Sequence, residues 1–281
     1  MNQLNKYYKG FDNIGNTCYL NSGLQLIIHN KDLCNLILQN ASTNPFFDYI
    51  SNFIKLYYND KTINSLTPNY IKDLVSKNNK EFIGSNQNDA FEFIIYFLEL
   101  INSILKNKLY EINIKIIIKC KFNTCLNIST SYEKTNFLLL DINNDTNNLD
   151  DCYRNYKSSE KLDNDNLYFC EKCNEKRIAS KRNKINEWSQ HLIIILKRFI
   201  HNNNVKKNIK KISIPILWRH NYKLKGIIFH SGTLTGGHYI YIGEHNNDWI
   251  MFNDNFTNKI LLEHLDNYKD FGYVYYFQKC Y

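Results

Sequence analysis

Three residues far apart in this 281-residue chain could together carry out thiol chemistry. Cys18 ends the run Gly10-Phe11-Asp12-Asn13-Ile14-Gly15-Asn16-Thr17 and opens a segment with apolar residues at Leu20, Leu24, Ile27 and Ile28, which is helical spacing. A thiol at a helix N-terminus lies beside unpaired backbone N–H groups, which favour its anion. His238 follows the flexible pair Gly236-Gly237 at the start of a candidate strand. Asn253 lies fifteen residues further on, in Trp249-Ile250-Met251-Phe252-Asn253-Asp254. If those strands are adjacent and antiparallel, His238 and Asn253 can meet across the sheet. One imidazole nitrogen would then take the Cys18 proton while the other donates to the asparagine oxygen, which orients the ring.

A second set of thiols suggests a different use. Cys170-Glu171-Lys172-Cys173 has the spacing with which a turn presents two thiolates to one tetrahedral metal. Cys120 and Cys125 form a wider pair with four residues between them. Each pair adjoins a candidate strand, so two hairpin tips could bring four sulfurs around Zn²⁺ and tie down a long β excursion. The alternative is that Cys120 and Cys125 are simply packed thiols. Cys34, Cys152 and Cys280 have no partner pattern.

The elements that must hold these groups fall in two halves. Besides the segment at Cys18–His29, helices are expected over Ser42–Tyr58, Pro68–Lys77 and Asp89–Leu105, the last with Ala90, Phe93, Ile94, Phe97 and Ile101 on one side. After Tyr110 the pattern becomes β-branched. Strands are expected at Ile112–Lys119, Phe137–Leu140, Leu192–Phe199, Lys223–Phe229, His238–Ile242, Trp249–Asn253 and Gly272–Phe277. Asn143–Asp165 is polar and is expected to be a long surface loop or insertion. A helical part followed by an antiparallel β part implies an α+β fold with a cleft between the two.

Composition narrows the partners. With 43% apolar residues the chain can build a core, and no apolar run approaches membrane-spanning length. Met1–Lys9 lacks the apolar stretch of a signal peptide, so an intracellular protein of the cytoplasm or nucleus is expected. The formal charge of +8 is spread along the chain and accompanies no nucleic-acid-binding motif, so neither nucleic acid nor membrane is an expected partner. The 44 asparagines include runs at Asn143–Asn144, Asn147–Asn148 and Asn202–Asn204, where turns are expected.

Several segments in order resemble the ubiquitin-specific protease family of papain-like cysteine isopeptidases. They are GFDNIGNTCYLNSGLQ at Gly10–Gln25, QNDAFEF at Gln87–Phe93, LYFCEKCNEKRIASKR at Leu167–Arg182, LIIILKRF at Leu192–Phe199 and HSGTLTGGHYIYIG at His230–Gly243, with WIMFND after it. The resemblance runs from Gly10 to Phe277. It implies a helical thumb over about 10–110, zinc-bearing β fingers over about 111–185 and a β-rich palm over about 186–281. It implies a monomeric deubiquitinase that cleaves after the terminal glycine of ubiquitin. A protease for a ubiquitin-like modifier, or an inactive ubiquitin-binding scaffold, would carry much the same motifs.

Carried onto this chain, Cys18 resembles the nucleophile, His238 the general base and Asn253 the third member, with Asp254 beside it able to assist. Asn13 resembles the side-chain donor of an oxyanion hole shared with the Cys18 backbone N–H. Gln87 and Asp89 resemble groups that hold the extended ubiquitin tail, with Glu92 a further candidate. Gly232, Gly236 and Gly237 resemble a mobile loop, and Gly226 is expected to open the preceding strand. Asn88, Phe91, Trp188-Ser189-Gln190 and the wide Cys120/Cys125 spacing depart from the family pattern. The length resembles that of a minimal catalytic domain with nothing appended.

Overall fold

A computed structural model describes residues 8–41, 44–201, 205–233 and 236–280. The start of the expected Ser42–Tyr58 helix, the Asn202–Asn204 run and most of Met1–Lys9 lie outside these residues. Helix α1 (Cys18–Ile28) is buried along its whole length. Its apolar side chains are at the expected spacing, and its buried polar side chains each make a hydrogen bond, although Asn21 Oδ1 has no partner among the described residues. The Gln25 amide donates to the Lys9 carbonyl and accepts from the Tyr57 hydroxyl, while Ser22 donates to the Tyr19 carbonyl. A buried polar group without such a bond would cost about 1–3 kcal/mol.

Helices α2 (Lys31–Gln39), α3 (Pro45–Asn59), α4 (Asn69–Asn78) and α5 (Ala90–Leu105) pack around α1 to form a helical lobe. Asparagine side chains cap two of them: Asn30 accepts from Leu33 N, and Asn44 accepts from Phe46 N beside Pro45 in the first turn. Such caps typically contribute about 1 kcal/mol each. The α1–α5 approach is set by Gly23, where a Cβ would lie 2.5 Å from the Phe93 ring. The sequence pattern does not predict helix α2, because nine residues with only three buried side chains give a weak periodic signal.

Beside the lobe stands an eight-stranded sheet in the order 256–260, 248–253, 237–245, 222–232, 274–279, 191–196, 138–140, with 217–218 paired to 222–232. All its pairings are antiparallel except that between 138–140 and 191–196. Strand 191–196 explains why an unbroken apolar run belongs here. Ile193 and Ile195 face the helical lobe, while Leu192, Ile194 and Leu196 face a second core with Tyr153, Trp218 and Trp249. A strand buried on both faces needs no polar alternation. The expected strand over Leu192–Phe199 ends at Leu196, and Phe199 begins a separate short hairpin strand. Gly226 does not open its strand, which starts at Tyr222. It lies mid-strand at a break in register, opposite Gly243, and the Tyr241 phenol lies over both glycines.

A second, four-stranded sheet in the order 128–135, 112–120, 179–187, 160–162 projects from the first. The polar Asn143–Asp165 segment is not a simple loop. It contains helix α6 (Leu149–Tyr156), capped by Asn148, and strand 160–162. Leu149, Cys152 and Tyr153 bury into the second core, and three apolar contacts among many polar residues are too few to show as a period. Helix α7 (Leu262–Lys269) is likewise absent from the sequence-based expectation. No helix among the described residues is long and apolar enough to cross a membrane.

Candidate active site

Helix α1 carries Cys18 at its first turn, and strand 237–245 carries His238 at its near end. These two elements pack directly on each other, so the thiol and the imidazole meet where the helical lobe joins the main sheet. Cys18 is 3% exposed. The His238 Nε2–H donates to Asn253 Oδ1 at 2.6 Å, which leaves Nδ1 for the Cys18 thiol. The hydrogen bond with Cys18, followed by that with Asn253 and the charge of Asp254, outweighs burial and raises His238 to about 9. The imidazolium is therefore favoured at neutral pH beside the sulfur.

The Asn253 placement is not a directly opposite strand pair. Tyr241 faces Phe252 in the ladder, so Asn253 reaches His238 on the diagonal, beyond the last paired residues. Its neighbour Asp254 sits at φ 50° and turns the other way. Asp254 Oδ2 accepts from Asn13 Nδ2 at 2.9 Å, and Oδ1 accepts from Asn21 Nδ2 at 2.8 Å. The two neighbours thus separate: Asn253 holds the imidazole, whereas Asp254 holds the loop that precedes Cys18.

That loop is tightly specified. Asn13 Oδ1 accepts from the backbone N–H of Gly15 and of Thr17, both at 3.1 Å. Gly15 at φ 109° and Asn16 at φ 53° turn the chain into α1, and Asn16 Nδ2 donates to the Ser85 carbonyl at 2.7 Å. With its oxygen engaged by the loop and one amide hydrogen by Asp254, Asn13 keeps a second N–H in a fixed direction. The side chain is exposed, so this donor is accessible to a reacting group.

Gln87 and Asp89 are both engaged within the chain. Gln87 clasps the backbone of Gly237, accepting its N–H at 2.9 Å and donating to its carbonyl at 3.1 Å. Asp89 caps α5 through Phe91 N at 2.7 Å and accepts from the Tyr273 hydroxyl at 2.9 Å. Where the resemblance suggests holders of an incoming tail, the geometry gives Gln87 the job of positioning the residue before His238. Glu92 lies exposed in the first turn of α5.

The four cysteines expected to converge do so. Cys120 and Cys170 end strands 112–120 and 168–170, with Cys125 and Cys173 in the turns beyond, and the four sulfurs lie within 4.8 Å of one another. The Cys125 and Cys170 sulfurs are 3.6 Å apart, and Asn127 Nδ2 lies 3.9 Å from the latter. Burial by itself would raise the Cys170 thiol, but the Cys173 backbone N–H and the neighbouring thiols outweigh it and bring the group down to about 7. The wide Cys120/Cys125 spacing is accommodated by a turn in which Cys125 N donates to the Phe122 carbonyl and Leu126 takes φ 50°. This cluster could hold a metal ion.

A family model for ubiquitin carboxyl-terminal hydrolases matches residues 9–277. The chain belongs to this family. Ubiquitin carboxyl-terminal hydrolase relatives include Usp2 of Drosophila melanogaster, 25% identical over 90% of this chain and 33% of that protein, and ubiquitin carboxyl-terminal hydrolase 48 of Danio rerio, 28% identical over 90% and 27%. A probable ubiquitin carboxyl-terminal hydrolase 8 of Schizosaccharomyces pombe is 26% identical over 88% of this chain and 60% of its own length. The chain thus spans between about a quarter and three fifths of these relatives. In fold it is similar to the SAGA DUB module Ubp8/Sgf11/Sus1/Sgf73 bound to monoubiquitin, with a TM-score of 0.84 at 24% identity, covering 100% of this chain and 71% of that one. The same module bound to ubiquitin aldehyde gives 0.82.

Three residues of this hydrolase family chain acquire roles that its sequence does not suggest. Asn21 bonds Phe11 O, Asp12 O and Asp254, joining α1 to both sides of the site. Its signal is a polar residue within an apolar helical face, three positions after Cys18. His230 is buried against Phe199 and Tyr239, and burial, Lys207 and His238 lower it to about 4, so it stays neutral. A Cβ on Gly237 would lie 2.1 Å from its Nε2, so only glycine fits before the catalytic-strand histidine. Arg198, 1% exposed, donates to the carbonyls of Gly272, Asn208, Lys210 and Asp270 and ties strand 191–196 to the segments after it. A lone arginine after an apolar run is its only mark.

Proposed function

We propose that this protein is a cysteine-type deubiquitinase, a hydrolase of the bond after the C-terminal glycine of ubiquitin. The observation that carries the reading is the meeting of His238, oriented by Asn253, with a buried thiol at a helix start in a chain of this family. The Cys18 sulfur attacks the glycine carbonyl. The resulting oxyanion accepts from the free Asn13 N–H and the Cys18 backbone N–H, donors that typically contribute about 3–4 kcal/mol to the transition state. Collapse of the tetrahedral adduct breaks the C–N bond as His238 gives its proton to the departing lysine amine. Water, deprotonated by His238, then attacks the thioester, releasing the glycine carboxylate and restoring the thiol. Asn253 keeps the ring aligned through both transfers, and Asp254 keeps Asn13 aimed.

Division into thumb (about 10–110), fingers (about 111–185) and palm (about 186–281) follows from the same reading, with ubiquitin between thumb and fingers. The four cysteines suit Zn²⁺: the donor set is all sulfur, three of its members are fully or nearly fully buried, and one thiol ionises readily. Cys120, Cys125, Cys170 and Cys173 would hold it, and its role would be structural. The protein would act as a monomer in the cytoplasm or nucleus. Hydrolysis of a fluorogenic ubiquitin C-terminal amide by the wild type, with loss of turnover but retained ubiquitin binding in Cys18→Ala, is the expected result. Equal turnover by the two proteins would overturn the mechanism.

A further inference from the structure

The helix and strand that carry Cys18 and His238 meet again at their other ends. Helix α1 ends at Ile28, about 16 Å from its start, with His29 as its C-cap, and strand 237–245 ends at His245. The two imidazoles lie edge to face with ring centres 4.2 Å apart. Both line a cavity of about 680 Å³, a volume that fits a small molecule. Tyr8, Tyr57, Tyr58 and Tyr276 line it as well.

Each imidazole has a buried nitrogen with no hydrogen-bond partner among the described residues, Nδ1 in His29 and Nε2 in His245. Neighbouring bonds fix the sense of the first. The Tyr57 hydroxyl donates its hydrogen to Gln25 Oε1 at 2.9 Å, so His29 Nε2, 3.0 Å away, must donate to the phenol oxygen. Burial lowers His29 well below its ordinary value and His245 to about 4, so both rings are neutral at pH 7. His29 Nδ1 is then a bare acceptor that calls for an incoming N–H or O–H.

The charges around the cavity favour an anion. Lys225 and Lys223 both reach Glu244, and Asp32 lies 3.0 Å from His191 Nε2 and accepts from Gln278 at 3.4 Å. Lys31 forms no ion pair among the described residues, and it opens α2, where the positive end of the helix dipole disfavours a cation. A bound anion would offset that cost. A metal fits less well, because no third His, Cys, Asp or Glu converges with the two imidazoles among the described residues and three lysines line the cavity.

We infer that this cavity binds a planar lactam heterocycle bearing an anionic group, the class that includes purine nucleoside monophosphates. The ring N–H donates to His29 Nδ1 and the adjoining carbonyl accepts from His245 Nε2, so one edge of the ligand satisfies both buried nitrogens. Tyrosines cover the ring, and Lys31 meets the anion. The site is separate from the cleft, and its existence does not depend on the deubiquitinase reading. An occupant would hold together the far ends of the two elements whose near ends carry the thiol and the imidazole of the cleft.

Inosine 5′-monophosphate is the probe, titrated by calorimetry into the wild-type protein, and one molecule per chain should bind. The N1-methylated nucleotide, which lacks the N–H, and inosine, which lacks the phosphate, should each bind about tenfold more weakly. Lys31→Gln removes a cation from a helix start, so its melting temperature should hold or rise while affinity falls about tenfold at low salt. His245→Phe keeps a ring against Tyr8 and Phe252 and should weaken binding by a similar factor. No binding up to about 1 mM nucleotide would overturn the inference and leave the cavity to water. Affinity that tolerates N1 methylation, or that is unchanged in either variant, would overturn it too. So would an inosine-containing oligonucleotide that binds as tightly as the monophosphate, which would point to a nucleic-acid surface instead. Ubiquitin turnover enters none of these measurements, so this site and the proposed activity can each fail alone.

Discussion

The cleft and the cysteine cluster use one functional group in opposite ways. Cys18 is a single sulfur at a helix start, facing an imidazole, with no second thiol in its hydrogen-bonding set. Among the described residues, Cys120, Cys125, Cys170 and Cys173 face one another, the amides of their own turns and the Asn127 side chain. The first lies between the helical lobe and the main sheet, so its geometry is supported by a large apolar core that does not depend on the sulfur. The second belongs to a core of its own that contains little besides sulfur, joined by the half-buried Tyr168. A thiol becomes a nucleophile where the surrounding packing is rigid without it. It becomes a ligand where it is itself the packing.

Separate substitutions test that contrast. Cys18→Ala should reduce turnover by about four orders of magnitude or more, while hydrogen exchange across 112–135 and 160–187 stays as in the wild type. Faster exchange there would mean that the two regions are coupled. Asn13→Ala removes the oxyanion donor together with the bonds to Gly15 N, Thr17 N and Asp254, and should lower kcat by about a hundredfold to a thousandfold with a lowered melting temperature. A pure KM effect would place Asn13 outside the reacting centre.

The reciprocal experiment replaces Cys170 and Cys173 with serine, or removes metal with a chelator. Exchange in the second sheet should accelerate while strands 191–196 and 274–279 keep their protection, and KM for ubiquitin should rise by about tenfold at nearly constant kcat. Loss of protection in the main sheet would show that the cluster supports more than its own lobe.

The smallest effect is a pH shift. His238 is raised to about 9 from its ordinary 6.5, so the activity that needs its proton should fall as pH climbs through about 9. Asn253→Ala removes one of the bonds that raise it and should move this alkaline limb to lower pH. For stability the sign is the same: the contribution of protonated His238 is complete below about 6.5 and is lost as pH rises through about 9. An unmoved limb in Asn253→Ala would assign it to another group.

Much of the candidate site is legible in the amino-acid sequence alone. Cys18, His238, Asn253 and the four clustered cysteines stand out because each sits beside glycines or a strand end, where local pattern is informative. Helices α2, α6 and α7 are not legible, since short helices with few buried residues leave hardly any period. Local pattern misplaces Gly226 at a strand start, because a glycine within a strand gives no hint of a tyrosine folded over it from the neighbouring strand.

By itself, then, the amino-acid sequence determined the reactive residue types, their family order, the helical and β halves and the pairing of cysteines. Those depend on neighbours along the chain. Only the tertiary structure decided that Asn253 rather than Asp254 meets the imidazole, that Asp254 holds Asn13 and that Gln87 clasps Gly237. Adjacent residues at a turn point in different directions, and residues 150 positions apart become partners only through sheet register and helix packing. Such directions are set by the whole fold, because no local interaction is strong enough to choose between them.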